Sequence, residues 1–367
     1  MRVLVIGNST RSIVCSAKKA GHTVYSLDNF CDIDTLKCAD KTASIEGLSD
    51  EKIYERAHLF GDVDAVILGP GFTKLKFNNI LNNLPDVQEK VNDKLEIAEK
   101  FHKLDIPHPP TEPLTKASAL DFPLMIKPRS GSGGMKNILV NTENQLADYA
   151  NRSDADEYIA QEFVEGIPFS ASLIGNGDEA VVVALNEQLI GISWLTCLPF
   201  AYCGNITPFS TRLDNEIRDF AERIALEFRL LGSNGVDFML TDRGVVAIEV
   251  NPRFQGSLDT VELSMGINIF DAHIRSFSGE MPQLKEPVCF AAKTIEYAKN
   301  NLKINKKIEK HLRIFMDRGE AADIPKLGRI IFPDEPIATF IGTGKTREIA
   351  LGNAGRSALY LRYMTEV

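Results

Sequence analysis

Asp237, Glu249, Asn251 and Arg253 are the residues whose types and spacing could do chemistry. They lie in the stretch GVDFMLTDRGVVAIEVNPRFQGS, Gly235 to Ser257, which reads as a β-hairpin. Val236, Phe238 and Leu240 alternate with Asp237 and Met239, and Val246, Ile248 and Val250 alternate with Ala247, Glu249 and Asn251. Between them Asp242-Arg243-Gly244 makes a three-residue turn with glycine last, where left-handed backbone is needed. With Thr241 opposite Val245, Asp237 falls opposite Glu249 and Asn251 follows on the same face. The apolar set, including Val246, Ile248 and Val250, then lines the buried face. Two opposed carboxylates repel each other. Hard oxygen ligands of this kind fit Mg²⁺, or Mn²⁺ in its place, which is held by one or two carboxylates plus substrate phosphates. Arg253 would present a fork of donors to the same phosphates. The competing reading is a solvated hairpin face with scattered charges.

Phosphate chemistry has further candidates upstream. Phe122 to Pro128 is a predicted strand carrying Lys127, followed by Arg129-Ser130-Gly131-Ser132-Gly133-Gly134-Met135-Lys136 and a second strand, Asn137 to Val140. Three glycines and two serines between two strands make a loop whose amides can wrap phosphate oxygens. It is not a Walker A loop, because G-x-x-x-x-G-K-[ST] is absent and a strand follows instead of a helix. A glycine-rich hairpin over phosphates with a lysine on the neighbouring strand is another solution for ATP; the plainer alternative is a surface hairpin with a snorkelling lysine. Val91 to Leu104 reads as one amphipathic helix with Asp93-Lys94 near its start. Tyr158 to Val164 is a strand turned by Glu165-Gly166, whose edge can offer backbone groups to adenine.

The elements that must position these residues are α/β and α+β in pattern. At the N-terminus Arg2 to Ile6, Thr23 to Leu27 and Ala65 to Leu68 are apolar strands alternating with helices, which indicates a parallel, Rossmann-like sheet. The first turn, Gly7-Asn8-Ser9-Thr10-Arg11, has one glycine in place of the three of G-x-G-x-x-G, and this argues against a nicotinamide cofactor. Its helix N-terminus is a candidate anion site, where Arg11 could hold a substrate carboxylate; alternatively Arg11 is a surface charge and Ser9 an N-cap. Trp194 to Pro208 is an aromatic loop that lines a substrate pocket or is simply packed. Downstream, Phe290 to Tyr297, Arg329 to Phe332 and Ile337 to Ile341 give a small β-rich end closed by a helix, Glu348 to Tyr363, broken around Gly352 to Gly355. Gly344-Lys345-Thr346 fails as a P-loop, since Thr339 stands where the first glycine belongs.

The 367 residues exceed what one core usually serves. A net charge of -9 with no basic run argues against nucleic acid, and no apolar stretch reaches a membrane span. Six cysteines without C-x-x-C spacing read as reduced thiols of a cytoplasmic protein.

Taken in order, Lys94, Lys127 with its glycine loop, the Gln161-Glu162-Phe163-Val164 hinge, Gly235-Val236-Asp237 and Glu249-Val250-Asn251-Pro252-Arg253 resemble the ATP-grasp superfamily. The style is that of its biotin carboxylase and carbamoyl-phosphate synthase branch, with archaeal-type predicted carboligases. The resemblance implies a Rossmann-like pre-ATP-grasp domain over 1–90 and an ATP-grasp domain over 91–285, with a glycine-loop lid at about 110–165. A β-rich C-terminal subdomain over 286–367 would complete the chain. It implies that Lys94 and Lys127 contact the α- and β-phosphates and that Gly131, Ser132, Gly133 and Gly134 close over them. Gln161, Glu162, Phe163 and Val164 would lie at the adenine, with Glu165 standing in for the acid that relatives use for ribose. Asp237, Glu249 and Asn251 would hold Mg²⁺, and Arg253 would stabilise the transferring phosphoryl group. The implied activity is an ADP-forming carboxylate–amine ligase working through an acyl phosphate on small-molecule substrates, with a homodimer as the candidate assembly. The alternatives are a bicarbonate-using carboxylase or carbamoyl-type enzyme, and a nucleotide-binding regulatory protein without turnover.

Overall fold

The computed structural model describes all residues except Thr73, Lys74, Ser132, Gly133, Met135 and Val367, and the side chain of Glu366. The chain begins with RVLVIG, apolar on both faces as a strand covered on both sides must be. This strand, Arg2–Gly7, is central in a parallel sheet ordered Lys41–Ser44, Thr23–Asp28, Arg2–Gly7, Ala65–Leu68. Helix Arg11–Lys19 follows the first strand, and Ile33–Cys38 packs against it.

Among the described residues an eight-stranded antiparallel sheet forms the middle of the molecule. It runs from Gly244–Asn251 at one edge through Leu231–Thr241, Ile167–Asn176, Ala180–Ile190 and Tyr202–Thr207. It continues into Phe290–Tyr297, Pro336–Gly344 and Ala321–Ala322. Three strands of the C-terminal residues thus extend this sheet, while Leu302–Lys303 and Ile330–Ile331 pair in a small sheet of their own. Helix Asp214–Glu227 lays Ile217, Phe220, Ala221 and Ile224 on Phe169, Ala171, Leu173 and Val236. Phe169 stacks on Phe238 with ring centroids 5.4 Å apart. Burying each such ring removes apolar area worth about 2–3 kcal/mol from water. A smaller four-stranded antiparallel sheet, ordered Thr111–Pro113, Tyr158–Glu162, Leu124–Pro128, Ile138–Val140, carries Lys127 and the glycine loop.

Several expectations are corrected. The helix expected over Val91 to Leu104 is two, Pro85–Asn92 and Lys94–Lys103. The break falls at Asp93, whose carboxylate accepts from the amides of Leu95 and Glu96 and so starts a new helix at Lys94. The closing helix, Arg347–Glu366, runs unbroken through Gly352 and Gly355. Ala350, Ala354, Ala358 and Leu361 are buried on its inner face, and that packing outweighs roughly 1 kcal/mol of helix propensity lost at each glycine. The aromatic loop contains a strand, Tyr202–Thr207. The cysteines are not all reduced: packing of the first two helices brings the Cα atoms of Cys15 and Cys38 to 5.1 Å, and the two are disulfide-bonded. Among the described residues no helix is long and apolar enough to cross a membrane.

Candidate functional site

The hairpin forms, with a different turn. Thr241 pairs with Gly244, so the connection is the two residues Asp242-Arg243. The register then shifts between Asp237 and Phe238, where Ile248 is the extra residue of a β-bulge, and the shift restores Asp237 opposite Glu249. Because the bulge changes which residues face inward, Val245, Ala247 and Val250 are buried, whereas Val246 and Ile248 are only half-buried.

On the other face Asp237 accepts from Asn251 Nδ2 at 3.1 Å and from Gln188 Nε2 at 3.1 Å. Burial, then the adjacent Glu249 carboxylate, pushes the Asp237 carboxyl well above its usual range. Lys94 Nζ lies 3.9 Å from Glu249 Oε2 and donates to the carbonyl of Gly131 at 2.7 Å. Arg253 donates to Asn251 Oδ1 at 3.2 Å and to the Phe254 carbonyl, and its guanidinium pKa is lowered by burial. Lys127 donates to Gln161 Oε1 at 2.7 Å. Burial brings its ammonium down to about 8, with Glu249 and Asp237 pulling upward and Lys94 downward. Three cations and two carboxylates from four elements therefore converge on one half-buried space. Two opposed carboxylates beside an amide oxygen are a donor set that fits a hard divalent cation. Among the described residues, no group of three or more His, Cys, Asp or Glu side chains is arranged to hold a metal ion by itself.

Gly131 and Gly134 of the glycine loop are described, and Ser132 and Gly133 lie outside the described residues. Gly134 approaches the Phe200 carbonyl so closely that a Cβ there would sit 2.2 Å from that oxygen. Gln161 faces Lys127 and Thr111 with its side chain. Glu162 accepts from the amide of Asp121 at 3.1 Å, Phe163 donates its amide to Pro123, and Val164 is half-buried. Glu165 is exposed.

Arg11 does not join this group. It is buried, bidentate to Asp259, and bonded to Asp323 at 2.9 and 3.1 Å, with Asp34 at 3.5 Å. Its donors are spent on fixed carboxylates, which a buried cation requires, so the expectation that it holds a substrate carboxylate fails. The nearby helix N-terminus is filled as well, since Thr10 gives its amide and hydroxyl to Asp28. Gln188 was missed by sequence reasoning. Its signal was present: Asn186 and Gln188 are polar at spacing two inside the run VVVALNEQLI.

Residues 91–257 match the family described as an ATP-grasp domain. Over those residues the chain carries an ATP-grasp domain. An uncharacterized protein of Methanocaldococcus jannaschii is 28% identical over 95% of this chain and 90% of its own. The arginine-specific large chain of carbamoyl phosphate synthase from Bacillus subtilis is 25% identical over 50% of this chain, which spans only 18% of that relative. The ADP complex of an N5-carboxyaminoimidazole ribonucleotide synthetase superposes with a TM-score of 0.74, covering 100% of this chain and 98% of that one. At 16% identity that likeness is one of ATP-grasp fold.

Proposed function

We propose that this protein is an ATP-dependent ligase that joins a small-molecule carboxylate to an amine. A carboxylate oxygen attacks the γ-phosphorus of ATP, forming an acyl phosphate as ADP leaves. The amine nitrogen then attacks the acyl carbon, phosphate departs, and the nitrogen gives up its proton as the amide forms. The observation that carries this reading is the convergence of Lys94, Lys127 and Arg253 on the Asp237–Glu249 pair, with Asn251 bridging the two carboxylates' side of the hairpin to Arg253. Phosphoryl transfer asks mainly for positioning and charge neutralisation, and cations gathered around a pair of opposed carboxyl groups are prepared for both.

Asp237, Glu249 and the Asn251 amide oxygen would hold Mg²⁺, which supplies Lewis-acid neutralisation of phosphate charge when bound. Lys94 and Lys127 would face the α- and β-phosphates, and Arg253 the phosphoryl group in transit. Gly131 and Gly134, with Ser132 and Gly133 between them, would cover the phosphates and exclude water. Gln161, Glu162, Phe163 and Val164 would border the adenine, and Glu165 the ribose.

ADP release is the measurement that tests this. Wild type should release ADP only when an acid and an amine are both supplied, and Glu249→Gln should lower that rate by about 10²–10³-fold with its melting temperature preserved. Wild-type rates from Glu249→Gln would refute the metal role. ADP release driven by bicarbonate without any amine would replace ligation with carboxylation.

A further inference from the structure

Beside the hairpin's polar face lies a cavity of about 270 Å³, walled by the first helix and the loops that follow the N-terminal strands, by the loop after the hairpin and by the far strands of the large sheet. Tyr202, Gln255 and Gly256 form the part that adjoins the hairpin. Gln255 packs so tightly over Gly235 that a Cβ there would fall 1.5 Å from its Nε2. Ile295, Ile331 and Ile337 supply apolar wall.

The charges in this cavity do not balance. Arg11 and Lys293 are committed to Asp259, at 3.4 Å in the case of Lys293, and Arg11 also to Asp323. Asp32 is different. It lines the cavity, is 7% exposed, and among the described residues no donor reaches its carboxyl. Asp323, Asp34 and Asp28 act on it from one side and Arg329, whose guanidinium stands 4.6 Å over the ring of Phe30, from the other. A buried carboxyl is ordinarily paired. This one faces open space in company with three other acids, and burial followed by those neighbours pushes it up to about 8.

The geometry points to Asp32 as the anchor for a primary ammonium group on a ligand with an apolar body, the class to which the amine substrate belongs. This deepens the ligase reading and rests on it only for the word substrate; the binding itself stands apart. An ammonium seated against Asp32 gives the carboxyl the partner it lacks, and the isoleucine wall takes the aliphatic or aryl remainder. At neutral pH the incoming cation displaces the proton held by Asp32, so binding releases it to buffer.

Calorimetry on the full chain without nucleotide tests this, with benzylamine, hexylamine and 1,5-diaminopentane as probes, and benzyl alcohol and benzoate as controls. At least one amine should bind at millimolar concentration at pH 7, with a heat that varies with the buffer as a released proton requires. Asp32→Asn should weaken that binding tenfold or more while leaving ATP affinity unchanged. Ile295→Trp, filling the cavity without touching Asp32, should do the same and guards against misfolding of the first variant. Glu249→Gln should bind amines as wild type does, which keeps this result separate from the fate of the ligase reading. Benzoate binding as tightly as benzylamine, no amine binding at millimolar concentration, or undiminished amine affinity in Asp32→Asn would each overturn the assignment.

Discussion

Lys127 concentrates the electrostatics of the site in one atom. Its ammonium is buried, its hydrogen-bond partner Gln161 is neutral, and its pKa falls from 10.5 to about 8. The sign is that of a buried lysine. Between about 8 and 10.5 the unfolded chain holds a proton that the folded chain lacks, so this group's contribution to stability rises with pH across that window. Below it the cost of burying the charge, roughly 3 kcal/mol, is felt in full. At the proposed ATP site, phosphate oxygens would relieve that cost by pairing with the charge. ATP binding in Mg²⁺-free buffer should therefore take up close to one proton at pH 9 and none from this group at pH 6.5, measured by calorimetry in buffers of different ionisation enthalpy. Lys127→Met should abolish the uptake at pH 9 and weaken ATP binding. A proton count unchanged by the substitution would remove Lys127 from the phosphate site.

At the scale of elements, the site depends on junctions that hydrophobic periodicity does not reveal. Alternation around Asp242-Arg243 made the pairing of Asp237 with Glu249 legible, yet the turn is one residue shorter than read and the Ile248 bulge compensates. Two departures cancelled, because a bulge leaves no periodic trace until the inner face is known to be Val245, Ala247 and Val250. Asp93 was likewise hidden inside an amphipathic pattern that continues on both sides of it. Its carboxylate caps the helix that begins at Lys94 and pairs with Arg129 Nε at 2.7 Å, while the Lys94 amide donates to the Arg129 carbonyl at 3.0 Å. One side chain thus ties Lys94 to the end of the strand that carries Lys127. Asp93→Ala should lower stability by about 1 kcal/mol in urea unfolding and weaken ATP binding several-fold. Asp93→Asn keeps an acceptor for the cap and should recover most of the stability but not the ATP affinity. Equal stability losses in the two variants would show that the charge pair, and not the cap, holds the junction.

Across the whole molecule, the connections between layers are polar and long-range, which is why a single sequence conceals them. Arg11 reads locally as an anion-binding arginine, and only the fold brings Asp259 and Asp323 to it. His273 is the same kind of staple. Its Nδ1 accepts from the Ser233 amide at 2.8 Å and its Nε2–H donates to the Leu81 carbonyl at 2.9 Å, so a neutral ring joins the large sheet to the segment following the N-terminal strands. Complete burial lowers its pKa from 6.5 to about 4. In that interval the unfolded chain binds a proton that the folded chain refuses, so this contribution is whole above pH 6.5 and is lost as pH falls toward 4. The loss amounts to roughly 3 kcal/mol. Asp32 and Asp237, with raised pKa values, act in the opposite direction over the same range, so the wild-type curve alone would mix the effects. His273→Gln retains donor and acceptor but cannot titrate. The wild-type advantage over this variant, taken from urea unfolding at several pH values, should shrink by roughly 3 kcal/mol between pH 6.5 and 4. A constant difference across that interval would mean that His273 does not link the layers as a neutral ring.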